Sequence, residues 1–197
     1  MGHFCVICGA PLEPRIIEGR EVEACPNDTF ILWHDPKVST AVVVELERGI
    51  VLGRRAIEPG YGLWCLPGGF VNDDEDPAAA AARECLEEIN ARVEPTSLIG
   101  VYHIAKSAAP SMVVIAYRGR LVDGDRPSAG AEMLEVGVFE LDSLPEFAFP
   151  SHRTVVAEYI KFPARAGAAA LPTGAAGAPR AAAPSARRVP RRQLRTR

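Results

Sequence analysis

One stretch constrains the fold more than any other. A glycine pair, Gly68-Gly69, leads through Asn72-Asp73-Asp74-Glu75 into an alanine-rich run that ends in Arg83-Glu84-Cys85-Leu86-Glu87-Glu88-Ile89. The run predicts a helix over 77–89. Asp76 suits the N-cap, and Pro77 suits the first helical position, where its missing N–H is not needed. Ala78 to Ala82 are the strongest helix formers. Asn90 tolerates the left-handed backbone that ends a helix. Residues at i, i+3 and i+4 share a helix face, so Glu84, Glu87 and Glu88 project together. On the other side Ala81, Cys85 and Ile89, with Leu86 beside them, form an apolar stripe for packing. Each like-charged pair costs only about 0.2–0.5 kcal/mol in water, but the cost rises in a cleft. A bound Mg²⁺ or Mn²⁺ removes that repulsion and prefers such oxygen ligands. Arg83 is spaced to pair with Glu87 or to reach back to Glu75. The plain alternative is a solvated acidic helix face.

Before this helix, Leu66-Pro67-Gly68-Gly69-Phe70 places glycines after an apolar strand, where backbone can approach a phosphate closely. An ordinary turn is the competing reading. Thr40 to Leu46 is β-branched and apolar, a buried strand. Gly49 is expected to turn the chain into Ile50-Val51-Leu52, and Pro59-Gly60-Tyr61-Gly62 is a turn cluster. Further strands are expected near 97–104, 112–121 and 133–140, and a last helix near 152–161. Strands mixed with one early and one late helix suggest an α/β fold, a sheet covered by helices on both faces.

Composition divides the chain into three parts: 1–35, rich in cysteine; 36–162, the strand-and-helix region; and 163–197, of Ala, Pro, Gly and Arg. The last part has too few large apolar side chains to offset its ordering entropy, and disorder is expected. It holds eight Arg and no acid. Without it, residues 1–162 carry 14 basic against 25 acidic side chains, a balance of −11. Such a body repels nucleic-acid phosphates. A phosphorylated substrate would need divalent cations as a bridge. No apolar run approaches the roughly 20 residues that span a bilayer. The first residues also lack a basic start and apolar stretch, so a cytoplasmic protein is expected.

Five cysteines without a secretion signal argue against a disulfide framework. Cys5-x-x-Cys8 followed by Cys25-x-x-Asp28 has zinc-ribbon spacing, with Asp28 where a fourth Cys is expected. A carboxylate can ligate zinc. His3 and His34 are reserve ligands. A lobe that lost its metal, or one with free thiols, is the alternative. Cys65 and Cys85 read as small buried hydrophobes.

Gly69, Glu75, Arg83, Glu84, Cys85, Glu87, Glu88 and Ala91 together resemble the Nudix box, a long gapped motif of Gly, Glu, Arg-Glu and Glu-Glu. Asn90 replaces the motif's last Gly, and Asp74 stands where many members have Gly. Arg54 to Pro59, Trp64 and Ala148-Phe149-Pro150 are similar to a Nudix group with an N-terminal zinc ribbon, whose members hydrolyse ADP-ribose, FAD or related dinucleotides. The resemblance covers about residues 4–162. It implies an α/β/α sandwich with a mixed sheet, preceded by a small zinc-ribbon-like lobe. It also implies Mg²⁺ ligation by Glu84, Glu87 and Glu88, in-line attack of water on one phosphorus, and Arg83 locking the carboxylates. Glu84 is the residue to orient or deprotonate that water. Glu132 is the candidate for a further acid from a later loop, and Gly68, Gly69 and Arg55 for contact with substrate. A small dinucleotide or nucleotide-sugar substrate is implied, and homodimers are common among such relatives.

Two other functions compete. One is a ligand sensor with the fold but no turnover, which would not need all three glutamates. The other is a nucleic-acid module using the ribbon and the Arg tail, which lacks aromatics for stacking. The Ser-Gln-Pro-Trp array of NADH-cleaving relatives is absent, and Ser107-Ala108-Ala109-Pro110-Ser111 does not reproduce it. Trp64, Phe70 and Tyr102 are available to stack on a base, though burial is the expected role of each.

Overall fold

The structure, a computed structural model, describes residues 2–105 and 111–162. The readings of 107–111 and of the 163–197 tail therefore lie wholly or mostly outside the described residues. Two sheets form. A three-stranded antiparallel sheet joins β1 (Glu13–Ile17), β2 (Arg20–Ala24) and β3 (Ile31–Leu32). The larger, six-stranded sheet runs in the order β6 (Trp64–Cys65), β5 (Gly49–Arg55), β4 (Lys37–Leu46), β8 (Met112–Leu121), β7 (Val93–Ile104). In it, β9 (Met133–Glu140) pairs antiparallel with β5. β4 and β8 run parallel, while β4–β5 and β7–β8 are antiparallel, so the sheet is mixed.

The alternation along β4 builds the two layers. Ala41 and Val43 point to one face, where they pack with Ile50, Leu52, Leu66, Val155 and Val156. Val42 and Val44 point to the other, against Val51, Ala81, Cys85, Ile89 and Tyr117. A strand buried on both sides reads as a continuous apolar run, because neither face meets water. Helix α1 (Pro77–Ile89) covers one face and α2 (Pro150–Lys161) the other, giving the α/β/α sandwich.

Helix α1 has its expected bounds. Asp76 Oδ1 accepts from the N–H groups of Ala78 (2.9 Å) and Ala79 (3.4 Å), and Asn90 ends the helix at φ 48°, ψ 32°. Helix α2 begins two residues earlier than expected, because Pro150 opens its first turn. Its far end is held by Arg118. That guanidinium lies 4.2 Å from the Tyr159 ring centroid, donates to the Tyr159 and Phe162 carbonyls, and pairs with Glu45 at 3.0 Å.

Two expectations need correction. Gly49 does not make the turn after β4. Glu47 does, at φ 55°, while Gly49 is the first residue of β5. Gly49 is a glycine because β9 crosses there, and a Cβ would run into the Phe139 carbonyl. Leu86 does not join the apolar stripe: it is 50% exposed, whereas Ala81, Cys85 and Ile89 are fully buried. One residue past Cys85 the helix has turned about 100°, which carries Leu86 to its outer side.

Candidate active site

The segment between β6 and α1 runs beside β4 like a short extra strand. Val42, Thr40 and Val71 donate N–H groups to Pro67 O (2.8 Å), Gly69 O (2.8 Å) and Val38 O (3.0 Å). The approach is too close for side chains. A Cβ on Gly68, at φ 146°, would meet Thr40 O, and one on Gly69 would meet the Glu84 carboxylate. The glycine pair thus lets the loop lie between β4 and the carboxylates of α1.

The three glutamates share one side of α1 but not one depth. Glu87 is 59% exposed, Glu84 15% and Glu88 6%. Glu88 sits at the edge of the buried face, where the Gly68 N–H donates to its Oε2 at 2.8 Å. Burial pushes its carboxyl up to about 8, the Gly68 N–H working against that shift. Burial also raises Glu84, opposed by the hydrogen bond from Arg83.

Arg83 meets both partners expected of it. Nε and Nη2 form a fork on Glu75, at 2.8 and 2.9 Å. Nη1 donates to Glu84 at 2.8 Å and more loosely to Glu87 at 3.5 Å, while Nη2 also donates to Phe70 O at 3.0 Å. The fork holds the Glu75 carboxyl below its ordinary range and raises Arg83 in turn. One planar cation therefore fixes the acidic loop, the helix and the glycine segment together.

Glu132 reaches this cluster from the loop before β9, and its charge acts on both Glu84 and Glu88. That loop docks on the end of α1, with Gly130 N–H on Glu88 O and Ser128 N–H on Ile89 O, both at 2.9 Å. Asn90 adds a tether that the sequence reading missed: its Nδ2 donates to Ala129 O at 2.8 Å. The residue departing from the box glycine keeps the left-handed turn and also holds the loop that carries Glu132.

Arg55 is buried and close enough for its charge to act on Glu88. Its Nε donates to Pro59 O at 2.8 Å, and its guanidinium carbon lies 5.0 Å from the Phe149 ring centroid. Phe149 and His152, both at the start of α2, are not among the site residues the sequence predicts, although Phe149 lies in the Ala148-Phe149-Pro150 segment that carries part of the resemblance. Phe70 is half-exposed, with Lys37 Nζ 5.0 Å from its ring centroid, which corrects the expectation that it packs inside. Trp64 and Tyr102 are partly buried against the α2-side core. Cys65 and Cys85 are buried as expected.

Beside the small sheet, in the segment before β1 and the loop between β2 and β3, Cys5, Cys8, Cys25 and Asp28 bring their sulfur and carboxylate atoms within 4.8 Å of one another. The Cys8 and Cys25 sulfurs lie 3.4 Å apart, and Cys5 Sγ is 3.2 Å from Asp28 Oδ2. The Ile7 and Asn27 N–H groups each donate to the sulfur two residues earlier, at 3.4 Å. A backbone N–H from Phe30 holds the Asp28 carboxyl down to about 2. His3 and His34 turn to Glu23 instead, at 2.7 and 3.9 Å.

A mixed sheet between two helices, with a glycine segment pressed against a carboxylate-bearing helix, is the α/β/α sandwich of a Nudix-type hydrolase. The NUDIX domain model matches residues 35–159, and the chain belongs to this family. A NUDIX hydrolase from Nitrosomonas europaea superposes with a TM-score of 0.71 at 36% identity, covering 80% of this chain and 90% of that one. The ADP-ribose pyrophosphatase of Methanocaldococcus jannaschii is 29% identical over 154 residues, 78% of this chain and 88% of its own. The NAD-capped RNA hydrolase NudC of Chromobacterium violaceum is 28% identical over 160 residues, 78% of this chain but 57% of that protein. Among the described residues no helix is long and apolar enough to cross a membrane.

Proposed function

We propose that this Nudix hydrolase cleaves the pyrophosphate of ADP-ribose, or of a close nucleoside diphosphate derivative such as FAD, with Mg²⁺ or Mn²⁺. The observation that carries the reading is the arrangement around Arg83. Glu75, Glu84 and Glu87 converge on one guanidinium, and Glu88 is buried beside them on the Gly68 N–H. The choice of ADP-ribose is supported by the match along most of the M. jannaschii enzyme.

Glu84, Glu87 and Glu88 would hold the cation. Their fit rests on chemistry: hard oxygen donors at graded depth, two of them largely withdrawn from water, with Arg83 paired to Glu84 but no ion pair at Glu88 among the described residues. When bound, the ion supplies charge that offsets the diphosphate and polarises its P–O bonds. The protein's own part is positioning, which dominates phosphoryl chemistry. Glu84, raised by burial, is the group to orient or deprotonate the attacking water, and Glu132 assists from the opposite loop. Gly68, Gly69 and Arg55 would face the substrate. Attack of water on one phosphorus breaks the bridging P–O bond and gives two monophosphates, AMP and ribose 5-phosphate from ADP-ribose.

The cysteine cluster is read as a structural zinc site of Cys5, Cys8, Cys25 and Asp28. Tetrahedral zinc with Zn–S bonds of about 2.3 Å sets its sulfurs about 3.8 Å apart, near the spacing found here. The N–H bonds to Cys5 and Cys25 would steady thiolates in place. Free thiols suit a reducing compartment, and a cytoplasmic enzyme is part of the reading.

The test is a Mg²⁺-dependent hydrolysis screen over ADP-ribose, FAD, NADH, diadenosine polyphosphates and nucleoside triphosphates. ADP-ribose should give the highest kcat/KM. Preference for NADH would displace the substrate assignment, and no turnover of any member would end the enzymatic reading.

A further inference from the structure

We infer that His152 is a positioning residue for this reaction, acting on the carboxylate cluster through the backbone of Leu66. The inference rests on the hydrolytic reading of the same cleft. His152 stands in the first turn of α2, on the sheet face opposite α1. It is 8% exposed, and its Nδ1 accepts the Leu66 N–H at 3.0 Å, a contact between residues 86 apart in sequence. From Leu66 the chain runs two residues to Gly68, whose N–H holds Glu88 at 2.8 Å. Pro67, between them, has no N–H to offer. The segment is therefore fixed along one edge by β4 and at its start by one imidazole.

The same helical turn also packs on Arg55, whose charge acts on Glu88. The Phe149 ring lies 5.1 Å from the His152 ring and 5.0 Å from the guanidinium carbon of Arg55. The first turn of α2 thus touches both the start of the segment that carries the Gly68 donor and Arg55, whose charge acts on the deepest glutamate. As an acceptor at Nδ1, neutral His152 carries its proton on Nε2. Burial, helped by the Arg55 charge, holds His152 down to about 4, so it remains an acceptor at neutral pH. A buried N–H that loses its partner must find another or move. A shift of Leu66 would draw Gly68 away from Glu88.

Three variants separate positioning from packing. His152→Leu keeps bulk and removes the acceptor. His152→Asn places Oδ1 where Nδ1 was, the same number of bonds from Cα. His152→Gln displaces the acceptor by one bond. In His152→Leu, kcat on ADP-ribose should fall about tenfold with KM within about twofold, and Mn²⁺ affinity, read by electron paramagnetic resonance without substrate, should weaken about tenfold. His152→Asn should recover both to within about threefold, the size of change set for support-shell residues. If His152→Leu does not fold, the Asn and Gln variants carry the test, with Asn the faster by about tenfold. Wild-type rate and Mn²⁺ affinity in His152→Leu, or Asn no better than Leu or Gln, would overturn the inference. Should the wild-type protein hydrolyse no substrate, the hydrolytic reading fails instead, and Mn²⁺ affinity alone judges His152.

Discussion

Two groups of ligand-type side chains sit in this chain, and they are supported in opposite ways. Glu84, Glu87 and Glu88 ride on a helix whose other face packs Ala81, Cys85 and Ile89 against Val42, Val44 and Val51. Their geometry is held by a core that exists without any ion. Cys5, Cys8, Cys25 and Asp28 lie in loops flanking a sheet of three short strands, around which Phe4, Val6, Ile7 and Ile16 are exposed. A lobe with so little apolar burial has few other means of holding four ligand atoms within 4.8 Å. In the sheet domain the fold positions the carboxylates. In the lobe the ligands, with a metal, would position the fold.

The sharpest break in this comparison comes from Glu88→Gln. The variant should fold, since it removes a buried charge while keeping an acceptor for the Gly68 N–H. Its kcat should fall by roughly a hundredfold or more, the loss seen when a charge-stabilising group goes. An unchanged rate would remove Glu88 from the chemistry. Arg83→Lys comes next. Lysine keeps the charge but cannot hold Glu75 with a fork while donating to Glu84 and Phe70 O. A fall of about tenfold in kcat is expected, with thermal stability lowered as well. Equal activity would show that the guanidinium network does not set the carboxylates.

The lobe should respond in the reverse sense. Cys8→Ser should lower bound zinc from one per chain and abolish slow amide exchange in β1 and β2, while β4 and β8 stay protected. Simultaneous loss of protection in both sheets would refute their separate support. The smallest effect expected is on acid stability. His152 is held near 4, against an ordinary 6.5, by burial and the Arg55 charge. Between these values the unfolded chain binds one more proton than the native one, so stability falls as pH drops from 6.5 to 4 and is flat above. The contribution is at most about 3 kcal/mol. Chemical denaturation across that range should show a shallower slope in His152→Asn.

The elements of α1 were legible because every local signal agreed: Asp76 and Pro77 at the start, alanines within, Asn90 at the end. The gathering of Cys5, Cys8, Cys25 and Asp28 in the lobe was legible from their spacing. What the sequence hid was depth and distance. Periodicity places Glu84, Glu87 and Glu88 on one side, but not Glu88 against the Gly68 N–H, since that depends on the glycine segment pairing along β4. Gly49 looked like a turn residue, yet its need arises from β9, some ninety positions on. His152 carries no periodic signal, and its contact with the Leu66 N–H follows from the packing of α2. The tether from Asn90 to Ala129 likewise joins segments that only the folded sheet brings together.

Carboxylates at 84, 87 and 88 are proposed to gather a divalent ion that lets water attack an anionic diphosphate. Phosphorus NMR of ADP-ribose incubated with the purified full-length chain tests it most directly. With Mg²⁺ or Mn²⁺ the diphosphate signals should give way to those of AMP and ribose 5-phosphate, and without a divalent ion they should persist. Diphosphate signals that stay unchanged at every cation tried, or that disappear as fast with no cation present, would contradict the account.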